Sequence, residues 1–109
     1  EALSHWDQFM AEQLSYFLDR MSNSKENEAS LLDNTVVLYG SSNSTTHNNR
    51  NYPLVLAGGA DLGLQHGQYL RFDEKIPMSN LLLTMLHRVG SEQEAFSDST
   101  NDLTEILKS

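Results

Sequence analysis

The residues best suited to chemistry fall in one polar stretch. Between Ser41 and Asn51 the chain carries His47, Arg50, the hydroxyls of Ser41, Ser42 and Ser44, and the amides of Asn43, Asn48 and Asn49. A neutral imidazole is the commonest protein metal ligand and exchanges a proton near neutral pH. An amide oxygen is an acceptable partner for a hard cation. His47 and Asn43 are therefore the candidate metal ligands. Catalytic divalent sites usually use three or more protein ligands, and the stretch has no carboxylate, so the more ordinary reading of His47 is a solvated loop histidine. Arg50 could grip a phosphate or sulfate through paired hydrogen bonds or stand as a surface arginine. The serines lack the G-x-S-x-G elbow of a nucleophile, and polar richness of this kind marks any exposed loop. Asp73 and Asp98 supply carboxylates, but no spacing ties them to His47. No catalytic residue is assigned.

The other histidines have weaker credentials. His5, His66 and His87 do not pair at i, i+4 with another ligand, so none receives a metal role. Gly58-Gly59 would let a backbone approach a ligand, but such a pair more often ends a strand with positive φ. No G-x-G-x-x-G opens a helix, which excludes a dinucleotide fingerprint.

Two apolar runs flank the polar stretch and must position it. Val36, Val37, Leu38 and Tyr39 are unbroken, as in a strand buried on both faces. Leu54 to Ala57 follows Pro53, a residue tolerated at a strand start, and Gly58-Gly59 ends it. In open α/β sheets ligands bind beyond the carboxyl ends of strands, where Ser41 to Asn51 would lie. Upstream, Trp6, Phe9, Met10, Leu14, Phe17 and Met21 recur at helical spacing with polar residues opposite, predicting a helix from a Ser4 cap to Ser22 whose aromatic stripe packs in the core. Ser30 to Asn34 reads as a turn entering the first strand. Leu62 to Phe72 reads as a hairpin turning at His66-Gly67. A second helix follows Pro77, with Ser79 as a cap, an apolar face of Met78, Leu81, Leu82, Met85, Leu86 and Val89, and Gly90 as its stop. Leu103, Ile106 and Leu107 suggest a last helical turn. The expected fold class is α/β, a small sheet flanked by helices, in a single domain covering 1–109.

Bulk properties narrow the functions. The chain has 109 residues and a formal net charge of −8, with only 7 basic residues. This argues against nucleic acid and anionic membrane surfaces, which select Lys and Arg clusters. There is no cysteine, hence no disulfide, thiolate nucleophile or Cys-based metal site. No apolar run approaches the roughly 18 residues of a membrane span. The opening at Glu1, followed at once by a helical pattern, suggests an excised or processed piece. A cut-out sheet exposes edges that pair with other strands, so the expected partners are a second copy of the chain or the rest of a parent chain.

Three motifs, in order, resemble a known family. Ser30-Leu-Leu-Asp-Asn-Thr-Val-Val-Leu-Tyr-Gly-Ser41 comes first. Then come His47 and Tyr52-Pro-Leu-Val-Leu-Ala-Gly-Gly59. Last is Pro77-Met-Ser-Asn-Leu-Leu-Leu-Thr-Met-Leu-His-Arg-Val-Gly90 with Phe96-Ser-Asp-Ser-Thr100. This combination is similar to the C-terminal part of the HXXSHH-motif proteins, a bacterial family of unknown function. That family in turn looks like a distant relative of the alkaline phosphatase and sulfatase superfamily. There a strand ends in Ser-Asp-His-Gly or Ser-Asp-Asn-Gly, whose Asp and His or Asn bind metal. Laid on this chain, Ser42-Asn43 takes the place of that pair, and Ser42 departs from it because a hydroxyl is a poorer ligand than a carboxylate. The namesake histidine motif, the nucleophile and the other ligands would lie upstream. The resemblance thus implies a C-terminal fragment, non-catalytic alone, of a periplasmic or secreted protein like a metal-dependent ester hydrolase, with a divalent metal in the intact parent. The alternative is a binding or assembly module of an exported bacterial protein with no enzymatic activity.

Overall fold

A computed structural model describes residues 2–41 and 52–109. It is a small α/β fold with two helices and two small antiparallel sheets. Helix α1 (Ala2–Ser22) contains no Gly or Pro to interrupt it. It begins before Ser4, which sits within the helix instead of capping it. Its end is tied by side chains that compete with the backbone: the Ser22 hydroxyl donates to the Asp19 carbonyl at 2.9 Å and the Ser24 hydroxyl to that of Arg20 at 2.7 Å. A tight hairpin follows, β1 (Lys25–Glu26) pairing with β2 (Ala29–Ser30). Asn27 takes φ 58° at its turn, a left-handed conformation that Asn tolerates.

A 3-10 turn at Leu32–Asn34 then delivers the chain into β3 (Val36–Gly40). The Leu32 carbonyl accepts from both Thr35 N–H at 3.1 Å and Gly59 N–H at 2.9 Å. This single oxygen joins the entry of β3 to the exit of β4 (Leu54–Gly58). The two strands are antiparallel, with Val36 opposite Gly58, Leu38 opposite Leu56 and Gly40 opposite Leu54. Gly58, at φ 76°, lies so close to the Leu32 and Thr35 carbonyls that a Cβ would clash with both. The glycine pair is therefore explained by the strand exit alone.

The sheet corrects two expectations. Opposed residues share a face, so Val36, Leu38 and Leu56 point one way and Val37, Tyr39, Val55 and Ala57 the other. Val36 and Leu56 pack on the core of Leu64, Leu103 and Ile106. Val36 to Tyr39 are half-buried on both faces instead of fully buried, and on the second face Val55 of β4 is exposed. Because β3 and β4 run antiparallel, their carboxyl ends lie at opposite ends of the sheet, and the connection at 42–51 joins neighbouring strands. The crevice rule for open parallel sheets does not apply to it.

After a 3-10 turn at Ala60–Leu62 the expected hairpin over Leu62 to Phe72 is replaced by irregular chain. Leu64 pairs instead with Leu107 in an isolated antiparallel bridge, flanked by Gln65 N–H donating to the Ile106 carbonyl at 2.9 Å and Lys108 N–H to that of Gly63 at 2.8 Å. The poor apolar alternation of this segment has its reason here: its partner strand is the C-terminal tail. Helix α2 (Met78–Arg88) starts with Pro77, not Ser79, as its cap. It ends at Gly90, whose φ is 100°. Gly90 N–H donates to the His87 carbonyl and Ser91 N–H to that of Leu86, a Schellman closure.

The tail forms its last turn at Thr104–Ile106. With Leu64 and Leu83, its Leu103 and Ile106 make up the buried hydrophobic side chains among the described residues. Each such burial contributes roughly 1.5–3 kcal/mol. The core therefore sits between β3–β4, α2 and the tail. Helix α1 lies outside it.

Candidate functional site

The predicted ligands His47 and Asn43, together with Ser42, Ser44 and Arg50, lie outside the described residues. What the structure places is the frame around them. Gly40 and Leu54 are register partners, and a Cβ on Gly40 would meet the Pro53 carbonyl at 2.9 Å and Leu54 Cδ2 at 2.5 Å. The roots of the 42–51 connection are thus held in close contact. The Tyr52 hydroxyl donates to Met78 Sδ at 3.1 Å, which fastens this end of the sheet to the first turn of α2.

The described histidines act as fasteners. His66 Nε2–H donates to the Gly58 carbonyl at 2.6 Å, and His87 Nε2–H to that of Gln93 at 2.6 Å. His87 Nδ1 stands 3.8 Å from Asp102 Oδ2, too far for a hydrogen bond. Both candidate carboxylates are structurally engaged. Asp98 Oδ1 accepts from the Ser79 hydroxyl at 2.6 Å, and Asp73 Oδ1 from the Lys75 N–H at 2.9 Å. Among the described residues no three His, Asp or Glu side chains gather where they could hold a metal ion, and no helix is long and apolar enough to cross a membrane.

Sequence reading missed the most connected polar residues, Asn80 and Thr84. Asn80 Oδ1 accepts from Thr100 N–H at 2.8 Å and Asn101 N–H at 3.4 Å, while its Nδ2 donates to the Thr100 hydroxyl at 3.1 Å. The Thr84 hydroxyl donates to the Asn80 carbonyl at 2.8 Å and accepts from the Leu103 N–H at 2.7 Å. Both side chains are almost fully buried. The available signal was an i, i+4 polar pair inside an otherwise apolar helix, spacing that puts both on one face. Their work is to hold the tail, and Asn80 also lines a polar depression beside it.

Two concave surfaces stand out among the described residues. One is a polar depression of about 530 Å³ between the 71–76 segment and the tail, including Arg71, Asp73, Asp102 and Glu105. The other is an apolar groove of about 450 Å³ between the start of β3 and α2, where Asn34, Thr35 and Val36 face Leu82, Met85, Leu86, Val89 and Phe96. Beside these stands the outer face of α1. Trp6 is 58% exposed, Tyr16 61%, Phe9 48% and Phe17 47%, with the Trp6 and Phe9 rings stacked at 5.7 Å between centroids. The expectation that this stripe packs in the core is corrected. Only Met10, Leu14, Leu18 and Met21 on the adjoining face are half-buried.

Compared with known proteins, the chain matches no family model, no curated protein and no solved structure.

Proposed function

We propose that this chain is a docking and structural piece of a larger α/β protein, non-catalytic by itself. That protein would be exported and would resemble the HXXSHH-motif family and, more distantly, the alkaline phosphatase-like hydrolases. The observation that supports docking is α1, a helix of 21 residues that leaves Trp6, Phe9, Tyr16 and Phe17 about half exposed to water. Surface helices of globular proteins normally turn such a stripe to the core, and contiguous exposed apolar patches mark interaction surfaces. The Cα radius of gyration is 15.2 Å, against about 13 Å for a compact domain of this length. The catalytic half of the reading rests on resemblance alone: His47 and Asn43 would line one wall of a metal site completed by other residues of the larger protein. A second reading, an assembly module with no hydrolase ancestry, draws support from the apolar groove beside β3, which serves partner binding whatever the ancestry.

Two measurements on the isolated chain test this. In sedimentation velocity it self-associates with concentration, and Trp6→Ser with Phe9→Ser restores the monomer; a monodisperse monomer at high concentration contradicts the docking reading. With a model phosphate ester and Zn²⁺, Mn²⁺ or Ca²⁺, hydrolysis does not exceed that of His47→Ala. Turnover that vanishes in the variant would make the chain an enzyme. Metal titration followed by thermal unfolding separates the two readings. A metal held at about a hundred times its dissociation constant raises Tm on the order of 10–20 °C. A rise abolished by His47→Ala supports hydrolase ancestry, and flat curves favour the assembly module.

A further inference from the structure

The exposed seam of α1 is ordered symmetrically about its middle. Trp6, Gln13 and Arg20 recur every seventh residue, about two helical turns apart, so they share one face with Phe9, Tyr16 and Phe17 between them. All six side chains are exposed. Counted from Gln13, Phe9 and Phe17 lie four residues to either side, and Trp6 and Arg20 lie seven. Arg20 is a charge set into an aromatic face, its guanidinium 6.0 Å from the centroid of the Tyr16 ring. Trp6 offers the best ring face for a cation, but it lies about 20 Å along the helix from Arg20. The two cannot meet within one molecule.

We infer that this face receives α1 of a second copy, running antiparallel about a two-fold axis through Gln13. The inference rests on the docking reading above and names the partner and its orientation. Under a two-fold axis, residue i of one copy meets residue j of the other, and the reverse. Here that sets Arg20 of each copy over Trp6 of the other and stacks Phe9 on Phe17 twice. The two Gln13 amides face each other, each able to donate and to accept. Charge rules out the parallel alternative, which would oppose Arg20 to Arg20 and leave both Trp6 rings without a cation. Antiparallel helices also set opposite ends of their dipoles side by side. An unrelated partner could cover the aromatic rings, but it would make no use of their symmetry about Gln13. The area sets the strength of the pair. Four aromatic side chains about half exposed, at about 150–250 Å² each when fully buried, supply about 600–1,000 Å² over both copies. That falls just below the about 1,200 Å² at which stable interfaces begin, so the dimer is reversible and depends on concentration.

The chain has no cysteine, so single introduced cysteines report which residues meet. Under mild oxidation the full chain carrying Gln13→Cys should form a linked dimer, because the axis brings its two copies together. Arg20→Cys should not. Its two copies stand about 20 Å apart, far beyond the about 7 Å that a disulfide spans between α-carbons. Ser15→Cys, on the opposite side of the helix, controls for random collision. In sedimentation, Arg20→Glu should raise the dimer dissociation constant about tenfold, since the axis counts each loss twice, and Arg20→Lys should recover most of it. Arg20→Cys linking as fast as Gln13→Cys would mean a parallel pair and overturn the inference, as would an unchanged constant for Arg20→Glu. Association without linking of Gln13→Cys would name another occupant or surface and overturn it too, with the docking reading left standing. A monodisperse monomer at high concentration would remove both.

Discussion

Helix α2 and helix α1 dispose of the same kind of amphipathic sequence in opposite ways. On α2 the buried face is Ser79, Asn80, Leu83 and Thr84, largely polar, and Leu82, Met85, Leu86 and Val89 are left to line an open groove. On α1 the polar residues are solvated and the aromatic ones are too. Hydropathy alone predicts neither outcome. On α2 the deciding partner is the C-terminal tail, whose backbone N–H groups at Thr100, Asn101 and Leu103 need acceptors once they are pressed against the helix. Asn80 and Thr84 supply them. Among the described residues no such tether to the tail draws the aromatic face of α1 inward.

If the tail and α2 form the stable half of the molecule, truncating its core costs most. Leu64→Ala or Ile106→Ala removes a side chain that is 1% or 6% exposed, and each should destabilise by about 2–5 kcal/mol. Urea unfolding checks this, and a loss below 1 kcal/mol would deny the tail its core role. Asn80→Ala should cost about 1–3 kcal/mol, because two backbone donors lose their acceptor. In hydrogen exchange the tail amides at 100–103 should open before those of β3. Thr84→Val keeps the shape and removes both the acceptor for Leu103 N–H and the donor to the Asn80 carbonyl. About 1–2 kcal/mol is expected, and a neutral result would show that packing rather than polar tethering fixes the tail.

How much of this was legible in the sequence follows the same division. Both helices, strands β3 and β4 and the Gly90 stop were readable, since each is written in local periodicity or in one special φ. The Leu62 to Phe72 segment was misread because its strand partner, Leu107, lies far along the chain. The caps failed for a local reason. Ser4 has helix on both sides of it, and the hydroxyl of Ser79 is engaged by Asp98 while Pro77 takes the cap position. Asn80 and Thr84 were invisible as anchors because their partners are backbone groups, which carry no residue signature. Of the candidate site, His47 and Asn43 lie outside the described residues, and only the frame built by Gly40, Leu54, Tyr52 and Met78 can be set beside the expectation.

The smallest effect on stability, and the sharpest contrast with α2, belongs to α1. Trp6→Ser combined with Phe9→Ser removes two large aromatic side chains, a change that would cost several kcal/mol in a core. Here both are about half exposed and stack on each other. Surface substitutions of this kind stay within about 0.5 kcal/mol, so the monomer should unfold at an almost unchanged urea midpoint. Trp6 is the single tryptophan and reports directly on its surroundings. In dilute chain its fluorescence should be that of a solvated indole, and it should shift to the blue as the protein associates or docks. A Trp6 already shielded in the dilute monomer, together with a large midpoint loss on substitution, would mean that α1 folds back onto the body like α2. The contrast between the two helices would then collapse.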